Sequence, residues 1–143
     1  MRVDFYQLER DRAEAVVPML AAKVLAGGGR LCVASGAEVD RVRLSDALWR
    51  HSSDSFLAHG EVGGPADARQ PILLGEEPSR ANGATLLLVA DGRWRGAGEG
   101  FERLLFLFRP EEVDEARARW KALEGGDRHY WAQGEDGRWV ERG

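Results

Sequence analysis

Near the end of the chain, Arg117, Trp120 and Lys121 stand at i, i+3 and i+4. On a helix that spacing puts all three on one face. Two cations flanking an indole make a seat for a carboxylate next to an apolar group. The arginine can offer a carboxylate two parallel hydrogen bonds, the lysine adds a point charge, and the ring supplies apolar surface. The same spacing also suits a solvated face with Trp120 turned into the core beside Val113, Ala116 and Leu123. Both readings stay open on spacing alone.

Other residue types with chemical potential are dispersed. His51, His59 and His129 lack metal-ligand spacing, and hydrogen bonding is the expected role of His59. The single cysteine, Cys32, lies in the apolar run Leu31-Cys32-Val33-Ala34, which points to a buried thiol in a reducing compartment. No GxSxG elbow is present, so no nucleophilic triad is expected. Acid pairs such as Glu76-Glu77 and Glu111-Glu112 read as solvated charge or as complements to a helix start.

These residues need elements to hold them. Val3-Asp4-Phe5-Tyr6-Gln7-Leu8 alternates and is rich in strand formers. Ala13 to Ala26 carries Val16, Val17, Leu20 and Val24 at helical spacing, with Asp11 as the expected cap and Gly27-Gly28-Gly29 as the stop. Arg30 to Ala34 reads as a buried strand, and Ala37 to Trp49 as a second helix with Val39, Val42, Leu44 and Leu48 toward the core. Short strands follow at 56–60, 71–74 and 84–90, and another within Phe101 to Phe108. Pro110 opens a last helix running to about Leu123. Residues 125–143 read as a polar and aromatic tail, partly flexible and without an assigned element.

Strands and helices that alternate in this way predict an α/β fold in three layers, with a mostly parallel sheet flanked by helices. The expectation is one Rossmann-like domain over 1–143, without a nucleotide-binding loop. The first strand-to-helix turn, Leu8-Glu9-Arg10-Asp11-Arg12, has no glycine and two acids, where a pyrophosphate would need glycines. The stretch Gly96-Ala97-Gly98-Glu99-Gly100 lacks GxGxxG spacing and reads as a loop. No Walker lysine motif occurs.

The formal net charge of −4 argues against a protein that coats DNA phosphates. No secretory signal and no membrane-length apolar run is visible, so a cytoplasmic protein is expected. No metal and no cofactor are expected either. Two rival functions can be weighed on the same residues. A small nucleotide-binding α/β enzyme lacks its glycines at Leu8–Arg12, and a direct single-strand DNA binder would want a basic track with exposed aromatics.

Several blocks in order resemble the chi subunit of bacterial DNA polymerase III. These are Val3 to Leu8, Leu44-Ser45-Asp46-Ala47-Leu48-Trp49, Asp54-Ser55-Phe56-Leu57-Ala58-His59-Gly60, Arg69 to Leu74, Asn82-Gly83-Ala84, Phe101-Glu102-Arg103, Arg117 to Ala122, and Tyr130-Trp131. The resemblance covers essentially the whole chain. It implies a non-catalytic adaptor of the clamp loader that pairs with the psi subunit. It also implies binding to the acidic C-terminal tail of single-stranded DNA-binding protein (SSB), which ends in phenylalanine, so that DNA is met only through that protein. Arg117 and Lys121 would then meet the terminal carboxylate and nearby aspartates. Trp120 and Phe106 would line the slot for the phenyl ring, and Arg128 would add charge at the rim. For the psi contact the second block offers Trp49, Phe56 and Leu57, with His59 near the edge; large aromatics anchor interfaces, and they are equally typical of cores.

Overall fold

The structure, a computed structural model, describes residues 1–51, 57–96 and 100–142. Phe56 lies outside the described residues, as do Ala97–Glu99 of the glycine-rich loop. The elements run β1 (Arg2–Gln7), α1 (Ala13–Ala26), β2 (Leu31–Ala34), α2 (Glu38–Arg50), β3 (His59–Glu61), β4 (Ile72–Gly75), β5 (Leu86–Val89), β6 (Arg103–Phe108), α3 (Val113–Ala122), β7 (Arg128–Gln133) and β8 (Trp139–Arg142). A 3-10 turn, Pro110–Glu112, leads into α3.

The eight strands form one sheet in the order β3-β4-β2-β5-β6-β1-β7-β8. Every pairing is parallel except β7 with β8. This is the mostly parallel α/β sheet that the alternation of strands and helices predicts. Both faces of such a sheet must be covered, so its inner strands are apolar without a break. Leu31–Ala34, Ile72–Gly75 and Leu104–Phe108 are buried throughout.

Because successive strand residues point to opposite faces, the sheet feeds two cores. Leu105 and Leu107 of β6 join Leu31, Val33 and Leu74 beneath α1 and α2. Leu104, Phe106 and Phe108 join Val3, Phe5 and Ala116 of α3 on the other face. The aromatic side of this second core centres on Phe5. Trp94 and Tyr130 stack on it at 6.1 and 6.5 Å, and Phe106 and Trp120 meet it edge to face at 5.6 and 5.4 Å.

Three expectations change. Val39 and Val42, read as core positions, are 58% and 53% exposed, and only Leu44 and Leu48 of α2 face inward. The reason is geometric: α2 covers the sheet near its β3 edge with a narrow stripe, leaving its outer face to solvent. Asp11 does not cap α1. Arg12 holds the cap position without a capping side chain, and the Asp11 carboxylate instead accepts a hydrogen bond from Gln133 Nε2 at 2.7 Å. The expected tail contains two strands. β7 pairs with β1 in parallel, and β8 folds back on β7. Buried Gln133 fixes this ribbon to the β1–α1 turn, its Oε1 accepting from the backbone of Arg10 and Asp11 at 3.3 and 3.2 Å.

Candidate functional site

The inner stripe of α3 is Val113, Ala116, Trp120 and Leu123, all packed on the Phe5 core. That stripe follows from the i, i+3, i+4 spacing of its apolar residues. The opposite boundary of the helix carries a shallow groove of about 330 Å³ lined by Asp114, Arg117, Ala118, Trp120 and Lys121. The two readings of Trp120 therefore hold together. The indole is half-buried: one part packs on the core and another forms the groove's wall.

Arg117 and Lys121 are exposed, and neither makes a hydrogen bond or ion pair among the described residues. Lys121 stands in the last turn of α3, where helix carbonyls favour positive charge. Several other arginines of the chain are engaged. Arg119 lies 3.8 Å from Glu115 and sits over the Trp94 ring at 5.7 Å, and Arg95 is bound to Asp91 through two 2.7 Å hydrogen bonds. The Arg117 charge is also felt at Tyr130. Burial raises the Tyr130 phenol above its ordinary value, and the Arg117 charge opposes that rise. The groove thus offers an indole wall with two unpaired cations, and one carboxylate, Asp114, at its other end.

Phe106 does not line this groove. It is 1% exposed, and Phe5 lies between it and Trp120, touching both rings. Arg128 is likewise absent from the groove's walls. Its guanidinium carbon lies 4.1 Å from the centroid of the Trp120 ring, and its Nη1 donates to the Trp120 carbonyl.

The residues of the second predicted surface separate by depth. Trp49 is 49% exposed, whereas Leu57 is 3% exposed and belongs to the core under α1 and α2. His59 is buried between them. Its Nδ1 lies 2.8 Å from the Leu57 carbonyl, its Nε2 2.7 Å from Ser45 Oγ, and its ring 4.3 Å from the Trp49 ring. His59 thus supports Trp49 from behind. Val39, Val42 and Trp49 share the outer face of α2, a surface that their apolar character concealed in the sequence.

A third place is the crevice at the carboxyl ends of the strands, where open α/β sheets hold ligands. It measures about 570 Å³ and is lined by Glu9, Asp11, Glu14, Asp40, Asp91 and Glu111 against Arg10, Arg12, Arg43 and Arg109. The Gly36 N–H, after β2, already donates to Asp91 Oδ2 at 2.8 Å. Burial would raise the Asp91 carboxyl, but hydrogen bonds from Arg95, Gly36 and Arg93 prevail and hold it below the ordinary value. The crevice is acid-rich, and a carboxylate of the chain itself fills the backbone donor that a phosphate would use. Among the described residues no group of three or more His, Cys, Asp or Glu is placed to hold a metal ion. Burial pushes the Cys32 thiol up, as its position in the second core requires.

No curated protein matches the chain. A family model does match, over residues 1–129, which span β1 through α3 and the first residues of β7. The matched range includes the α3 groove, the exposed face of α2 and the buried residues of both cores, and on it the chain belongs to the family of the DNA polymerase III chi subunit, HolC.

Proposed function

We propose that this chi subunit, an accessory subunit of DNA polymerase III, is an adaptor that performs no catalysis itself. On this reading it binds the acidic, phenylalanine-terminated tail of SSB on α3 and the psi subunit of the clamp loader on α2. It works beside DNA in the cytoplasm without gripping it. The observation that carries the reading is the α3 groove, where unpaired Arg117 and Lys121 flank the Trp120 ring. A terminal carboxylate and neighbouring aspartates complement the two cations, and a phenyl ring complements the indole wall.

On the other surface Trp49 is the anchor, since large exposed aromatics dominate interface energies. Val39 and Val42 extend the apolar patch along α2. Leu57 and His59 serve this contact by supporting Trp49 rather than by touching the partner. Among the described residues no helix is long and apolar enough to cross a membrane.

The deciding experiment is fluorescence anisotropy of a labelled SSB tail peptide titrated with the protein, with a peptide lacking the final phenylalanine as control. Saturable binding that the control loses supports the adaptor reading. A folded protein that binds neither peptide at low salt refutes the α3 assignment.

A further inference from the structure

We infer that Arg128 serves the tail site as a positioning residue: it holds the Trp120 indole in place as the groove's apolar wall and does not pair with the ligand's charge. The inference rests on the proposed tail site and assigns one more residue to it.

The geometry separates Arg128 from Arg117 and Lys121. Those two line the groove and have no hydrogen-bond or ion-pair partner among the described residues. Arg128 does not line the groove, and its guanidinium is already engaged twice by the same residue. The guanidinium carbon lies over the Trp120 ring, 4.1 Å from its centroid, and Nη1 donates to the Trp120 carbonyl. That carbonyl stands in the last turn of α3 and also accepts from Leu123 N at 3.2 Å. A planar guanidinium can stack on a ring while its edge donates, which a lysine ammonium cannot reproduce.

The remaining restraints on the indole come from the core. Phe5 and Tyr130 meet it edge to face at 5.4 and 5.7 Å, with interplanar angles of 80° and 88°. Arg128 adds a third contact, over the ring itself. It does so from a fixed base: Arg128 begins β7 opposite Val3 of β1, and Val3 N donates to the Asp127 carbonyl at 2.9 Å. Without Arg128 the indole keeps its contacts with Phe5 and Tyr130 and gains freedom to turn, so a ligand ring must order it again on binding.

Positioning and direct pairing predict different responses. The test uses the full chain with the labelled SSB tail peptide, titrated by anisotropy over a range of salt, for Arg128→Ala, Arg128→Lys and Arg117→Ala. The Trp120 indole N–H resonance, assigned with Trp120→Phe, is followed in parallel. Positioning predicts that Arg128→Lys loses roughly as much affinity as Arg128→Ala, on the order of five- to tenfold, the range of a partly desolvated cation–π contact. It also predicts a shifted Trp120 resonance in both variants and an unchanged salt slope. Arg117→Ala, by contrast, flattens the slope because it removes a ligand ion pair.

Wild-type affinity in Arg128→Lys overturns the inference, as does a slope flattened by Arg128→Ala to the same degree as by Arg117→Ala. Both outcomes leave the tail site standing. A wild-type protein that binds no tail peptide overturns the tail site, and the inference with it.

Discussion

The indole of Trp131 donates from Nε1 to Asp4 Oδ1 at 3.0 Å, joining the C-terminal β-ribbon to the first strand through a fully buried carboxylate. Arg2 donates to the same carboxylate at 3.0 Å and Arg103 at 2.9 Å. Burial would raise the Asp4 carboxyl, but these three donors outweigh it and hold the group below its ordinary value. The carboxylate is therefore charged in the native protein, and three separate segments of the chain depend on it.

Asp4→Asn should destabilise the protein. Removing one partner of a buried ion pair costs about 3–5 kcal/mol. Arg2 and Arg103 are 38% and 37% exposed and regain water, which lowers the expected loss to about 2–3 kcal/mol. Because the folded value is depressed, the stabilisation is complete above the unfolded value and disappears as pH falls through the folded one. Urea unfolding from about pH 5 to about pH 3 should show a steeper fall for the wild type than for Asp4→Asn. Parallel pH profiles would mean that Asp4 is not the linked group.

In the groove, Arg117→Ala should weaken binding of the SSB tail by about 1.5–3 kcal/mol, the range for a charged hydrogen bond. Asp114→Asn should act in the opposite direction. It removes a like charge from the groove's end and should tighten binding by about 0.2–1 kcal/mol, an effect that fades with salt. Isothermal titration of both variants at two salt concentrations checks the pair. An Asp114→Asn variant that binds more weakly would place the acidic tail elsewhere.

On α2, surface and support should separate. Trp49→Ala should weaken association with psi by more than about 1 kcal/mol while leaving the unfolding midpoint nearly unchanged, since the ring is half exposed. Leu57→Ala should instead cost about 2–5 kcal/mol of stability, because it opens a cavity beneath α1 and α2. Co-purification with psi and thermal unfolding measure the two effects. Equal losses of stability would show that Trp49 is a core residue.

His129 joins the two strands of the ribbon. Its Nδ1 lies 3.0 Å from Glu141 and its Nε2 2.8 Å from Asp127, and both partners raise its value above the ordinary one. Stabilisation from a raised histidine is present at low pH and is lost as pH rises through the folded value. An NMR titration should place the His129 midpoint above that of an ordinary histidine and return it toward normal in Glu141→Gln. An unmoved midpoint in the variant would dissolve the assigned pair.

Most of the core was legible because apolar runs have few places to go. The apolar runs Arg30 to Ala34 and Phe101 to Phe108 read as strands and hold β2 and β6, and Ala13 to Ala26 matches α1 at both ends. The spacing of Arg117, Trp120 and Lys121 carried the groove, because positions three and four apart on a helix share a face whatever lies beneath it. The ordered blocks of resemblance carried the family, which the match over residues 1–129 shows.

Only tertiary structure decided which face of α2 is covered. Val39 and Val42 are as apolar as Leu44 and Leu48, and exposure follows from where the helix meets the sheet's edge. The ribbon β7–β8 was hidden for a related reason. Its strands are polar, and they are held by pairing with β1 and by Trp131 with Asp4, and Gln133 with the β1–α1 turn, contacts between residues more than 120 positions apart. The place of Arg128 is also set by the fold, although it follows Trp120 by only eight residues. Local sequence fixes what a helix face offers, but a side chain that reaches that face from a neighbouring strand is set by the fold, since no sequence period links the two.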